Sequence, residues 1–103
     1  MQHNDESQPQ VDSNSNEIIR VRSNTDPTLL AGAVAKRIRL TGTAHLRAIG
    51  AAAISQAVKG ITIANDYLVE EDMPIAYTSS FQDLIVAGEE RTALNFMVFQ
   101  LTK

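Results

Sequence analysis

Apolar residues alternate with arginines over residues 17–22 (EIIRVR), and apolar and polar residues alternate again over residues 43–49 (TAHLRAI). A period of two residues is typical of a β-strand with one buried face, so both segments are predicted as strands. Each strand places its cationic side chains on the face opposite most of its apolar ones. These cations are Arg20, Arg22 and Arg47.

Between the two strands, an apolar residue recurs at every fourth position, which predicts an amphipathic helix. Asp26 can cap the first free amides, and Pro27 suits the first helical position. Gly42 can adopt the left-handed conformation that ends a helix. We therefore expect the first helix between Pro27 and Gly42, with a buried stripe formed by Leu30, Val34 and Ile38.

An alanine-rich segment from Gly50 to about Val69 carries the same helical period and predicts a second, longer helix. Its small residues would let another backbone approach closely, on the sheet or on a second subunit; they are Ala53, Ala57 and Gly60. Residues 75–87 and 91–101 show the pattern of extended chain on either side of residues 88–90 (GEE). They predict a hairpin with a tight turn at Gly88.

The order strand, helix, strand, helix, strand, strand predicts an α+β protein, a two-layer sandwich with a four-stranded mixed sheet and two helices. Right-handed crossovers that run in the same direction place both helices on one face of the sheet. The other face stays open and would present cationic, polar and large apolar side chains, namely Arg20, Arg22, His45, Arg47, Asn95, Met97 and Phe99.

Length and composition set the domain organisation. The 103 residues give room for one domain. Residues 1–16 are rich in Asn, Gln, Ser and Asp and contain a single valine, so they are predicted to form a disordered acidic tail with a net charge of −3. Residues 17–103 form the predicted folded domain.

The predicted domain is neutral overall, but its charge is unevenly distributed. Residues 17–64 carry seven basic and two acidic side chains, whereas residues 65–103 carry two basic and seven acidic ones. This asymmetry indicates an anionic partner or head-to-tail association between copies, although a solvated surface of mixed sign is the commoner cause.

Catalysis is disfavoured, because the chain has no cysteine, only two histidines, no Ser/His/Asp set and no phosphate-cradling glycine loop. We expect no cofactor, no metal and no small-molecule substrate. The adjacent carboxylates of residues 70–72 could collect a divalent cation, but such a cluster in an exposed loop is usually only solvated. The longest uncharged apolar run is too short to cross a bilayer and no secretion signal is visible, so we expect a cytoplasmic protein with no membrane partner.

Four segments of the chain, EIIRVRSNTDP, LAGAVA, AIGAAAISQAVKGITIA and GEERTALNF, resemble the bacterial stage V sporulation protein S family. The resemblance extends over residues 17–103. That family is similar to the Alba superfamily of nucleic-acid-binding proteins, and LRAIGAAAISQAVKGI looks like the second strand and second helix of Alba. The resemblance implies a strand order of 1-2-4-3, a homodimer or higher homo-oligomer, and largely sequence-independent binding of DNA or RNA in a regulatory role.

Alba-like proteins are thought to bind nucleic acid with a basic loop after the first strand and with the hairpin arms of the dimer. Where Alba has a pair of lysines in that loop, this chain has Ser23, Asn24, Thr25 and Asp26. Where Alba has an arginine after the glycine that opens the second helix, this chain has Ala51. Both differences weaken the electrostatic attraction that dominates nucleic-acid affinity, so the expected affinity is modest.

The resemblance and the charge pattern together indicate six candidate phosphate contacts: Arg20, Arg22, Asn24, Arg47, Lys59 and Arg91. Each has a plain structural alternative. The loop that holds Asn24 could simply cap the first helix through Asp26. Arg91 could pair with Glu89 or Glu90 and steady the turn, and the remaining cations could be solvated surface charges.

A protein-interaction or assembly module is the second hypothesis. In that case the basic half of one copy meets the acidic half of another, and nucleic acid is not bound. The overall neutrality of residues 17–103 and the missing Alba lysines favour it. In the nucleic-acid hypothesis, Met97 and Phe99 are predicted to serve assembly.

Overall fold

The computed structural model describes residues 10–11 and 18–101. Its elements in chain order are β1 (Gln10–Val11), β2 (Ile19–Val21), α1 (Pro27–Thr41), β3 (Thr43–Ala48), α2 (Ala51–Val69), β4 (Ile75–Val86) and β5 (Glu89–Gln100). The predicted tail, residues 1–16, lies outside the described residues apart from β1. Neither helix in the described part of the chain is long and apolar enough to cross a membrane.

The strands form one sheet in the order β1-β2-β3-β5-β4. β2 and β3 run parallel, whereas the other three pairs of neighbours are antiparallel. The four strands predicted from the sequence therefore follow the expected order 1-2-4-3, and the α+β class with its βαβαββ arrangement is confirmed. The two-residue strand β1, which the sequence pattern does not predict, extends the sheet beside β2.

Helix α1 begins and ends where its capping residues predict. Oδ1 of Asp26 accepts a hydrogen bond from the backbone N–H of Thr28 at 2.8 Å, and Pro27 opens the first turn. Gly42 has a φ of 86°, and its N–H donates to the carbonyl of Ile38 at 2.8 Å. This left-handed residue lets the chain leave the helix and enter β3 at once.

The core lies between the two helices and one face of the sheet. The predicted stripe of α1, formed by Leu30, Val34 and Ile38, is buried against the inward side chains of the sheet. Gly60 of α2 lies against α1, because a Cβ at position 60 would stand 2.5 Å from Cδ2 of Leu30. Gly60 therefore allows close packing within the chain. The sequence alone had left open whether this small residue packs within the chain or against a second subunit.

The predicted hairpin with a tight turn at Gly88 is confirmed, but the turn has other bounds than expected. The turn consists of Ala87 and Gly88, with φ values of 52° and 82°, and β5 starts at Glu89. Glu89 pairs with Val86 and Glu90 pairs with Ile85, so both acidic residues belong to the strand and not to the turn. Two successive residues of positive φ match the right-handed twist of the flanking strands, which favours a two-residue turn over the longer one expected.

Candidate functional site

The register of the sheet brings polar residues from four strands into one row. Arg20 of β2 pairs with Arg47 of β3, which pairs with Asn95 of β5, which in turn pairs with Ser80 of β4. Directly paired residues share a face of a sheet, and the neighbouring row through Leu46 is buried beneath the helices. The row that starts at Arg20 therefore lies on the face that the helices leave open.

Arg47 is held by a hydrogen-bond network across three strands. Its Nε donates to Oδ1 of Asn95 at 3.0 Å, and its Nη2 donates to Oε1 of Gln82 at 3.0 Å. Nδ2 of Asn95 donates to the same oxygen of Gln82 at 2.6 Å. The three side chains are partly buried, so the network holds the guanidinium in one orientation on the floor of the open face.

A cavity of about 640 Å³ opens beside Arg47, between the end of β2 and the hairpin of β4 and β5. Four arginines line it, and we call them the cavity arginines: Arg20, Arg22, Arg47 and Arg91. None of the described residues that line the cavity is acidic. The structure thus brings four of the six predicted phosphate contacts into one concave surface.

The rim of the cavity is formed by a tight turn after β2. The N–H of Arg22 donates to Oγ1 of Thr25 at 2.8 Å, and the N–H of Thr25 donates to the carbonyl of Arg22 at 3.1 Å. Thr25 is fully buried, and its carbonyl accepts a hydrogen bond from Nε2 of Gln56 on α2 at 2.8 Å. These bonds tie the turn to α2 and place Arg22 and Ser23 at the edge of the cavity.

The other two predicted contacts lie outside the cavity lining. Asn24 is exposed in the turn, and the adjacent N-terminus of α1 is capped by Asp26, as the structural alternative for this loop predicts. Lys59 is exposed on α2, in the helical layer on the other side of the sheet. Lys59 and the cavity therefore lie on opposite sides of the sheet, so a nucleic acid bound in the cavity would not contact Lys59 on the same surface.

Arg91 reaches the cavity because of its place in the hairpin. It pairs with Leu84 of β4, and this pair lies on the same face as Gln82, two residues earlier along the strand. Leu84 and Val86 therefore line the cavity together with Arg91. The two-residue turn sets this register, since a turn longer by one residue would move Arg91 to the opposite face.

The sequence did not single out three residues that line the cavity, Ile49, Leu84 and Val86, or Gln82, which binds the cavity residue Arg47. Gln82 could not be recognised because its role depends on the pairing of β4 with β5, and a lone glutamine in a strand carries no signal. The alternation of Leu84 and Val86 with Ile85 was visible, but the extended segment is apolar at all three positions. The buried Thr25 had a weak signal as a hydroxyl residue in a turn.

His45 also lies on the open face, next to Met97 of β5. Partial burial lowers the pKa of its imidazole, and the positive charge of Arg47 lowers it further. The lowered pKa favours the neutral imidazole at pH 7. His45 therefore lies on the open face, as the sequence predicts, but adds little positive charge to it.

The acidic segment after α2 is engaged by an arginine. Nε and Nη2 of Arg39 donate to the two carboxylate oxygens of Glu71 at 2.9 and 2.5 Å. This bidentate hydrogen bond lowers the pKa of the Glu71 carboxyl and raises that of the Arg39 guanidinium. Within residues 10–11 and 18–101, no three His, Cys, Asp or Glu side chains come together in a way that could hold a metal ion.

The family model of stage V sporulation protein S matches residues 17–101 of the chain. The matched residues include every element from β2 to β5 and all four cavity arginines.

Proposed function

The chain belongs to the stage V sporulation protein S family, and we propose on this basis that it is a regulatory protein that binds DNA or RNA through its cavity arginines. Membership of the family suggests a sporulation-related protein. The proposed binding is largely independent of sequence and modest in affinity, in keeping with the absence of lysines in residues 23–26.

The observation that supports this proposal most strongly is the convergence of the four cavity arginines. They come from the end of β2, from β3 and from β5, and they share a cavity whose described lining contains no carboxylate. Guanidinium groups have the fork geometry that binds phosphate oxygens in pairs. A phosphodiester backbone is a polyanion that offers several phosphate groups at regular spacing.

Binding should be tested by titrating the protein into labelled DNA and RNA at several salt concentrations. Each phosphate contact contributes about −0.7 to −0.9 to the slope of log affinity against log salt. The double variant R22A/R47A should bind more weakly and with a shallower slope, while K36A, which removes an exposed lysine of α1 outside the cavity, should keep the slope. An absence of binding by the full-length protein at low salt would reject the proposal.

We further propose that the protein is a homodimer or higher homo-oligomer. The hairpin supports this, since β4 is the edge strand of the sheet and carries Phe81 with 81% and Ile85 with 68% of their surfaces exposed. A long, exposed apolar edge strand is a site where another chain can add. Met97, 41% exposed on the open face, is a further candidate for such a contact, as the sequence predicted.

The hairpin edge also favours the second candidate function, an assembly module without nucleic-acid binding. The mass in solution as salt rises separates the two modes of association, because a charge-driven oligomer comes apart while an apolar one persists. Failure of F81S to change the mass at any salt concentration would exclude the β4 edge as the contact. A protein that assembles and binds no nucleic acid would establish the second function in place of the first.

A further inference from the structure

The cavity combines cations with an apolar wall. Ile49 follows β3, and Leu84 and Val86 lie in β4; all three line the cavity beside the arginines, and we call them the apolar wall. Positions 82, 84 and 86 alternate onto one face of the strand, so the wall continues directly from the network around Arg47. A ligand that fills this space meets apolar and cationic groups at once.

A duplex would contact this surface through its phosphates, and these would bind only its cationic part. In a duplex the bases are stacked and paired, so the groove edges are polar and the flat base faces are not offered to a protein. An unpaired nucleotide presents a base face and a sugar together with the phosphates on either side of it. Its volume also suits a cavity of about 640 Å³, within the range of about 300–1,000 Å³ that is typical of small-ligand sites.

We propose that the cavity binds one unpaired nucleotide of a single strand, with its base or sugar against the apolar wall and its flanking phosphates at the cavity arginines. This inference rests on the proposed nucleic-acid binding and narrows it to single-stranded DNA or RNA. Arg47 is already fixed by Asn95 and Gln82, so one of the cations loses little conformational freedom when the strand binds.

The test is a set of binding measurements on the full-length protein at one low salt concentration. The probes are a labelled oligothymidine, a labelled oligouridine and a labelled duplex of the same length. We expect the single strands to bind about tenfold more tightly than the duplex, the scale that contacts to unstacked bases provide. Thymidine monophosphate, used as a competitor, should displace the strand only at much higher concentration, because it lacks the second phosphate.

A pair of matched variants tests the apolar wall. L84S should weaken single-strand binding about fivefold, the scale expected for removing one aliphatic contact, and should weaken duplex binding much less. L40S makes the same chemical change at a residue of α1 that is 68% exposed and outside the cavity, and it should change neither. Circular dichroism of both variants would show whether the fold is retained, and V86S provides a second test of the wall if L84S is unfolded.

The outcomes separate this inference from the proposed function. Duplex binding as tight as strand binding, or an equal effect of L84S on both, would overturn the single-strand assignment and leave nucleic-acid binding standing. A monophosphate that binds as tightly as the strand would overturn it in favour of a small nucleotide ligand. If none of the probes binds, the proposed function fails, and this inference fails with it.

Discussion

Arg47 and Asn95 face each other across β3 and β5, and Nε of the arginine donates to Oδ1 of the asparagine at 3.0 Å. The asparagine amide in turn donates to Gln82, which also accepts from Arg47. The most buried of the cavity arginines is therefore oriented by neutral amides, and its positive charge remains available to a ligand. A carboxylate at position 95 would have held the side chain equally well and cancelled its charge.

Replacing Asn95 with alanine should weaken nucleic-acid binding about threefold, because Arg47 loses a hydrogen bond that orients it. The same substitution in an R47A background should have no further effect, and fluorescence anisotropy of a labelled oligonucleotide would measure all four corners of the cycle. Q100A, which removes an exposed side chain of β5 outside the cavity, serves as the control. Additive losses from N95A and R47A would contradict the coupling.

Gly60→Ala should destabilise the fold. The new methyl group would lie 2.5 Å from Cδ2 and 3.1 Å from Cβ of Leu30, and overpacking of this kind costs roughly 1–3 kcal/mol. Gly32→Ala on the exposed side of α1 meets no atom within 4 Å and should stabilise the protein by about 0.5–1 kcal/mol through helix propensity. Urea denaturation of both variants would measure the difference, and a stabilising G60A would show that α1 and α2 can move apart.

The pair of Arg39 and Glu71 should make stability depend on pH at the acidic end. The pKa of Glu71 is lower in the folded protein than in the unfolded chain, so the pair stabilises the fold above the unfolded pKa, and this contribution is lost as the pH falls through the folded pKa. E71Q should therefore lower Tm at pH 7 by a small amount and have less effect at pH 3. The neighbouring substitution E70Q provides the comparison for a change of one charge, and equal effects of the two at pH 7 would argue against a specific pair.

His45 should titrate below the ordinary histidine value of 6.5, because burial and the charge of Arg47 disfavour the imidazolium. The unfolded chain then takes up a proton before the folded one does, so the free energy of unfolding should decrease as the pH falls below about 6.5 and level off below the folded pKa. NMR titration of the imidazole would measure the shift directly. R47A should raise the pKa of His45, and an unchanged titration in that variant would mean that burial is its only cause.

The helices and strands were predicted well from the sequence, because they depend on residues that are neighbours along the chain. Periods of two and near four residues located the four main strands and both helices, and Asp26, Pro27 and Gly42 marked the ends of α1. The turn at Gly88 was predicted but its bounds were not, because Ala87 gives no sign in the sequence that it adopts a positive φ. Composition does not show which neighbouring strand a two-residue strand such as β1 pairs with.

The sequence by itself determined which residues carry positive charge, which face of each strand they occupy, and the order of helices and strands, because these follow from residue type and local periodicity. Only the tertiary structure decided which of those charges meet. The register of Arg20 with Arg47 and the two-residue turn that sets Arg91 on the same face as Gln82 bring residues from both ends of the domain into one cavity. The same packing sends Lys59 to the helical layer, since the side on which a helical residue lies depends on how the whole helix docks on the sheet.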